Sequence, residues 1–579
     1  MLYWCLSCNT PLVSRVCSRC SSPGAPVKTS IYSDPRPASR WGLSLLREVL
    51  ERDYGHGAYE ALLPLGDSCV LFGRAPYLDV SYEVIADGAV LGYLFYDLYT
   101  WRWLFKPSKP GAMRLLEQGL MEEVDASGSI GSRICPAPPG SPPFKLLSGL
   151  RGLAERRGST YFVSKLYPPG SLELAEVKQS SMLEANLPAL AEMESKAVVF
   201  IIRESRKRRH LVVSYSGGKD STVVLKLAER SELSFKVYFN DTGLEMPETL
   251  EVAEKALRSH DSIRGEAGDA FWRTVQGFGP PARDYRWCCK VCKLAPTYRA
   301  LKETQDALVL VGQRRYESAS RRRAPAIWRN RWVPGVLSAS PVNSWSALAV
   351  WLYIRWRKLG YNPLYEAGFD RIGCFMCPAS RIAELKLVEE MHPKLAWRWS
   401  LELRRWAERR KLPESWLRYH LWRWVKPPER VLRLAGLTGT YPRNKVALRA
   451  SSSALEVEPY SQDRMLKLAR TAGRLRGLEL EAGEAKLKLL GDRIEYHGSL
   501  EVVLPIASKL AARAMLCPGC SVCTAYCPVG ALKPGAPAEA SDRCTSCSLC
   551  SEVCPILEYP NANVVAVSQQ PEALAKRKG

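Results

Sequence analysis

The sequence predicts a multidomain α/β protein with a parallel sheet at its centre, and three observations carry that expectation. The chain has 579 residues, room for several domains of ordinary size. A strand, Leu211-Val212-Val213, runs into a glycine-rich turn and then a helix through Thr222, the order of an α/β unit that binds phosphate. Nineteen cysteines are present, and all except Cys69 and Cys135 fall in clusters with metal-ligand spacing, so metal-held modules should flank the core.

Composition narrows the classes. The apolar fraction is 46%, ordinary for a globular chain. No run of about eighteen apolar residues occurs, and no charged segment followed by an apolar stretch opens the chain, so a soluble cytoplasmic protein is expected, with no membrane partner. Clustered rather than scattered cysteines argue for a reducing compartment and against a secreted disulfide scaffold. The net charge is +23 and unevenly spread. Residues 394–430 carry eleven Lys/Arg against four Glu, and residues 314–331 carry seven Arg against one Glu. Such concentrations suit a polyanion such as RNA or a phosphorylated small substrate; a solvated, Arg-rich surface of a heat-adapted protein fits them as well.

Along the chain, Cys5-x2-Cys8 and Cys17-x2-Cys20 place four thiolates on two tight knuckles, which suits one structural zinc. A zinc ribbon is expected over 1–28, with the metal serving as its core. Residues 29–187 read as small mixed or β-rich domains, from runs such as Cys69–Phe72 and Val90–Phe95, with a long loop around 126–143. Residues 188–440 hold the central block and a helical extension. In that extension Trp397, Trp399, Trp406, Trp416, Trp422 and Trp424 stand among arginines. They could stack on bases, but Trp399, Leu403 and Trp406 share helical spacing, which favours a core stripe. Residues 441–510 read as a small α/β module, with a helix near 462–475 and strands near 485–504.

The glycine-rich turn is Ser214-Tyr215-Ser216-Gly217-Gly218-Lys219-Asp220-Ser221. Glycines let the backbone approach a phosphate, and the following helix presents its N-terminus to the anion. Ser216 and Ser221 add hydroxyl donors. The spacing is not that of a Walker loop. SGGKDS is instead similar to the signature of PP-loop enzymes, which bind adenine nucleotides and act at the α-phosphate or its sulfate ester. The fold this implies is a PP-loop, adenine nucleotide α-hydrolase-like core.

Further segments follow in order: Asp241-Thr242-Gly243 with Pro247-Glu248-Thr249, Arg286-Trp287-Cys288-Cys289, Gly312-Gln313-Arg314-Arg315 with Arg321, Tyr361-Asn362-Pro363-Leu364-Tyr365, and Arg371-Ile372-Gly373-Cys374-x2-Cys377-Pro378. Over 190–380 the chain resembles the phosphoadenylylsulfate (PAPS) and adenylylsulfate (APS) reductases. The resemblance implies nucleotide contacts from Ser214, Ser216, Gly217, Gly218, Lys219, Asp220, Ser221, Asp241, Thr242, Gly243, Arg314, Arg315 and Arg321. It also implies one 4Fe–4S cluster on Cys288, Cys289, Cys374 and Cys377, with zinc as the rival occupant. A PUA-type RNA-binding barrel, carried by related archaeal fusions, would suit part of 29–187.

Two departures stand out. Cys292 lies just past the cysteine pair, where the family does not usually place one. The family's nucleophile, in a C-terminal E-C-G-[IL]-H segment, has no counterpart, since no cysteine lies between Cys377 and Cys517. No catalytic group is therefore assigned; Lys219, Asp220 and Cys292 are the candidates.

The C-terminal part, 511–560, carries Cys517-x2-Cys520-x2-Cys523-x3-Cys527-Pro and Cys544-x2-Cys547-x2-Cys550-x3-Cys554-Pro. This is the bacterial two-cluster ferredoxin spacing, in which the fourth cysteine of each run serves the other cluster. One 4Fe–4S cluster is expected on Cys517, Cys520, Cys523 and Cys554, the other on Cys527, Cys544, Cys547 and Cys550. Residues 561–579 read as a frayed tail. The cofactors expected are three 4Fe–4S clusters, one zinc and an adenine nucleotide (ATP, APS or PAPS), with magnesium a candidate companion of the phosphates. Two activities compete. One is an oxidoreductase acting on an adenylylated sulfur species, fed by its own ferredoxin domain and an upstream low-potential donor. The other is a sulfurtransferase that thiolates tRNA or other RNA after ATP-dependent adenylation.

Overall fold

The computed structural model describes residues 2–125, 128–168, 170, 173–560 and 562–569. At its centre is a six-stranded sheet in the order Ser262–Glu266, Lys236–Asp241, His210–Tyr215, Ala307–Val311, Val336–Ala339, Ile327–Arg329. All neighbours are parallel except the last pair. Strands such as Ala307–Val311 are apolar at almost every position because helices cover both faces of a parallel sheet. Lys219–Arg230 buries Val223, Val224, Leu227 and Ala228, and Ala347–Trp356 is buried over its first eight residues. The chain passes from His210–Tyr215 outward on one side and returns to Ala307–Val311 on the other. Their carboxyl ends therefore flank a topological switch point, where ligands of such sheets bind.

The N-terminal region is β-rich, as the alternating runs predict. Leu2–Cys5 pairs with Thr10–Leu12 and Ala25–Val27. The four cysteines do not hold this segment alone. Trp4 is fully buried and joins the core of the central sheet, and Asn186 fastens the segment by accepting from Val13 N–H at 2.8 Å and donating to Pro11 O at 2.9 Å. Two five-stranded sheets follow. One is antiparallel, from Arg36–Pro37 to Arg102–Pro107; the other runs from Arg133–Pro136 to Glu123–Val124. They share a core with the helix Arg40–Tyr54. The expected loop around 126–143 is interrupted by the strand Arg133–Pro136; residues 126 and 127 lie outside the described residues.

Residues 382–435 are mostly helical. Trp399, Trp406, Trp416 and Trp422 are buried and only Trp397 is well exposed, so the aromatic stripe is core, as its spacing predicts. The module after it differs from expectation at its end. Strands Ala485–Leu489 and Arg493–His497 are followed by a helix, Leu500–Leu516, rather than strand to 504. The reason is its period: Val503, Ala507, Leu510, Ala511 and Ala514 are buried at i, i+4, i+7, i+8 and i+11. The expected frayed tail also departs from expectation. Asn563–Gln569 pairs in parallel with Asn444–Ala450 as the edge strand of a seven-stranded sheet, while residues 570–579 lie outside the described residues. Among the described residues no helix is long and apolar enough to cross a membrane.

Candidate functional site

The glycine-rich turn sits at the switch point. Gly217 has φ +69°, which favours glycine, and a Cβ there would also press on the Thr249 methyl at 3.2 Å. Ser221 Oγ donates to Gly218 O at 2.8 Å and accepts from Ser216 N–H at 3.2 Å, tying the turn to the first helical residues. Ser214 lies in the strand between its partners Tyr238 and Val311. Lys219 N–H donates to the Tyr365 hydroxyl at 3.0 Å, which brings the Tyr361–Tyr365 segment onto the loop.

The loop's charges are internally paired. Lys219 Nζ stands 2.7 Å from Asp220 Oδ2, and Arg314 Nε 2.5 Å from Asp220 Oδ1. Burial alone would raise the Asp220 carboxyl, but the Lys219 and Arg314 charges outweigh it and hold the group below its ordinary range. Arg314 also reaches Asp34 Oδ2 at 2.7 Å and Trp345 O at 3.2 Å. Its side chain is 0% exposed, and its Nη2 has no partner. Of the three arginines expected to contact the nucleotide, Arg314 stands apart from Arg315 and Arg321. Arg314 is an internal strut, because two carboxylates draw it inward, whereas Arg315 is exposed and Arg321 pairs with Glu317 on the surface loop.

Beside the turn, Asp241 accepts from Gly243 N–H at 2.9 Å, and Thr242 is held by Glu245 through its hydroxyl (2.6 Å) and its N–H (3.0 Å). Gly243 has φ +71°, and a Cβ there would lie 2.5 Å from Gly268 O. This segment meets the cysteines. Phe375 N–H donates to Leu244 O at 2.9 Å, and Thr242 Oγ1 lies 3.7 Å from Cys374 Sγ. Cys288 and Cys289 come from the short helix Trp287–Cys289, whose buried Trp287 stacks on Phe278 at 4.6 Å. The hydrogen bond from Cys288, with Arg286, Lys293 and Arg371 nearby, brings the Cys289 thiol down to about 6. Burial, with Cys377, Glu245 and Cys289 close by, pushes Cys374 up to about 12. Cys374 thus lies within electrostatic reach of both the Cys288–Cys289 pair and Cys377. Arg286 feels Cys289, Cys377 and Cys288, yet its buried Nε has no partner. Arg283 and Arg423 clamp the chain after Cys377, both donating to Pro378 O, at 2.9 and 3.2 Å.

Cys292, a catalytic candidate from the sequence, is corrected. It is 2% exposed, burial pushes its thiol well up, and it sits in a π-helical turn whose packing it fills. Such a thiol is a poor nucleophile.

Among the described residues, only Cys5, Cys8, Cys17 and Cys20 bring their sulfurs within 4.8 Å of one another, a set that could hold a zinc ion. In the C-terminal part, Cys517, Cys520, Cys523 and Cys554 line one small pocket, and Cys527, Cys544, Cys547 and Cys550 line another. This part is seated on the central domain. Tyr526 stacks on Tyr298 at 4.4 Å, Glu558 pairs with Lys290 at 2.8 Å, and Tyr559 meets Tyr285 at 5.4 Å.

The phosphoadenosine phosphosulfate reductase domain model matches residues 210–380. An adenosine 5′-phosphosulfate reductase of Allochromatium vinosum is 30% identical over 221 residues, 35% of this chain and 80% of its own length. The chain belongs to the phosphoadenosine phosphosulfate reductase domain family. An uncharacterized protein of Methanocaldococcus jannaschii, MJ0066, is 33% identical over 477 residues, 73% of this chain and 96% of that one. The PAPS reductase of Candida auris aligns at 18% identity over 35% of this chain and 98% of its own, with a TM-score of 0.26.

This reductase-domain protein also shows what the sequence did not single out as site residues. Tyr365 lay in a recognised segment, but nothing marked its hydroxyl as a partner of the loop. Arg286 stands beside the cysteine pair, and a cation next to clustered thiolates was an available signal. Asp34 had none, being brought in from a different domain.

Proposed function

We propose that the protein is an iron–sulfur oxidoreductase that binds an adenylylated sulfur species at Ser216–Ser221 and reduces it, with electrons from its ferredoxin-like C-terminal domain. The observation that carries this reading is the convergence, at the carboxyl end of the central sheet, of the phosphate-type loop, the Thr242–Glu245 turn and Cys288, Cys289, Cys374 and Cys377. The donor set fits a 4Fe–4S cluster better than zinc. The four thiols influence one another, yet they are not drawn together as tightly as the four at the N-terminus. The buried, unpaired Arg286 Nε supplies an N–H for a sulfur acceptor. When bound, such a cluster would supply electron transfer and charge stabilisation. The two C-terminal cysteine pockets would hold two further clusters, on the spacing of their cysteines. The protein's own residues hold the nucleotide: backbone at Gly217 and Gly218 approaches phosphate, and the first turn of Lys219–Arg230 faces it.

In the reaction the sulfur–oxygen bond to the nucleotide phosphate breaks and two electrons go to sulfur. Sulfite and the nucleoside phosphate leave, and a low-potential one-electron donor restores the protein in two steps. Reduced protein should therefore release sulfite from APS or PAPS without ATP or RNA; no release from either nucleotide would sink the proposal.

A second reading, ATP-dependent thiolation of RNA, is favoured by the missing family nucleophile and by exposed Arg322 and Arg323. It requires AMP and pyrophosphate formation that depends on RNA and a sulfur source.

A further inference from the structure

Asp34 belongs to the N-terminal region, two residues before the edge strand Arg36–Pro37, and outside the segment matched to the reductase family. It is nevertheless buried at the nucleotide end of the central sheet, 5% exposed. One carboxylate oxygen accepts from Arg314 Nη1 at 2.7 Å, and the other from Ala347 N–H at 2.7 Å, the first residue of the helix Ala347–Trp356. Two neighbouring contacts fix the segment that carries it. Arg36 Nε donates to Asp370 at 3.0 Å, and Arg74 Nη1 to Glu317 O at 2.6 Å. The N-terminal region therefore grips the arginine loop on one side and the turn after Tyr365 on the other.

We propose that Asp34 is a positioning residue for the nucleotide's phosphate, acting through Arg314. It rests on the reading of Ser216–Ser221 as the phosphate loop. Arg314 is wholly enclosed, and its hold on Asp220 is set by where Asp34 anchors the other end of the guanidinium. The coupling to the loop is direct. A Cβ on Gly312 would lie 2.7 Å from both Asp220 C and Ser221 N, so the chain leading into Arg314 touches the first helical turn itself. Without Asp34, Nη1 keeps only Trp345 O, the guanidinium is drawn toward Asp220, and the Lys219–Asp220 pair is pulled out of register.

Charge counting alone predicts the opposite sign, because removing a carboxylate near a phosphate should tighten anion binding. The test is calorimetric binding of AMP and of adenosine to the full-length, anaerobically purified protein, in wild type, Asp34→Asn, Asp34→Glu and Gly218→Val. Asp34→Asn should bind AMP at least ~tenfold more weakly, within the range for coupled members of one ion network. Adenosine affinity and iron content should be unchanged, and Asp34→Glu should recover most of the AMP affinity. Unchanged or tighter AMP binding in Asp34→Asn overturns the proposal, and so does equal loss of AMP and adenosine, which would signal general loosening. If Asp34→Asn does not fold, the double variant with Arg314→Met removes the uncompensated charge. The same AMP-selective loss is expected there, and wild-type AMP affinity overturns the proposal. A wild type that binds no AMP, or a Gly218→Val variant that binds it normally, removes the loop reading itself and the inference with it.

Discussion

Gly218 and Asp220 are adjacent to the same helix start but should fail differently when changed. A valine at Gly218 puts its side chain where phosphate must meet backbone, and the glycine Cβ position already lies 3.4 Å from the Tyr365 hydroxyl. Gly218→Val should abolish adenine-nucleotide binding while iron content stays at the wild-type value; unchanged affinity would exclude this loop as the site. Asp220→Ala should also abolish binding, at an added cost in stability. It strips one of two carboxylates from a wholly buried arginine, a loss of about 3–5 kcal/mol. Chemical denaturation would show that cost, and a wild-type midpoint would contradict the ion network. Its pH dependence has a definite sign. The Asp220 carboxyl is depressed in the folded state, so its contribution is present above the unfolded value of about 3.9. It is lost as pH falls through the folded value. Asp220→Asn should flatten the acid limb of the stability curve below about pH 4. At this scale the cysteines and glycines were legible in the sequence, because spacing alone constrains them. The partners were not: Arg314 reads as a phosphate ligand until Asp34, remote in the chain, is seen to hold it from behind.

At the scale of elements, one helix of the central domain packs tightly against the start of the C-terminal domain. In Ala270–Phe278, Gly277 packs so closely that a Cβ would lie 2.4 Å from Pro518 Cβ, next to Cys517. Gly277→Val should therefore cost about 1–3 kcal/mol through overpacking. It should also make the 511–560 segment more accessible to protease, with no effect on AMP affinity. Protection equal to wild type would show that the contact does not hold the domain. The arginine-rich elements make a separate case. The tryptophans of Pro393–Arg409 face the core, apart from exposed Trp397, so base stacking along this helix has little surface to use. If RNA binds, the exposed cations carry it, and charge reversal at Arg322 and Arg409 should flatten the salt dependence of binding. A salt slope unaffected by both changes would place any RNA elsewhere. Element types were legible where period was clear, as for the buried tryptophans. They were misread near 500, where Gly498 ends the strand pair, Ser499 takes the N-cap position of a new helix, and Pro505 inside that helix obscures its period.

At the scale of the whole molecule, the C-terminal domain is not tethered by a linker. The helix Leu500–Leu516 runs directly into Cys517, and Asn563–Gln569 returns to the sheet beside Asn444–Ala450. Both ends of the cysteine-rich segment are thereby fixed to one module, and its face packs on Tyr285, Tyr298 and Lys290 of the central domain. This arrangement was invisible in the sequence, which shows that two modules are fused but not that one is docked on the other. It gives the cysteine sites a fixed order in space, as an internal electron supply requires. The central claim is that the Cys288, Cys289, Cys374 and Cys377 site holds iron and sulfide beside the nucleotide loop. Metal and acid-labile sulfide analysis of anaerobically purified protein tests it most directly. With four irons per cluster and one ribbon ion, about twelve irons and one zinc per chain are expected. About eight irons and two zincs would show that the central site is a zinc site and contradict it.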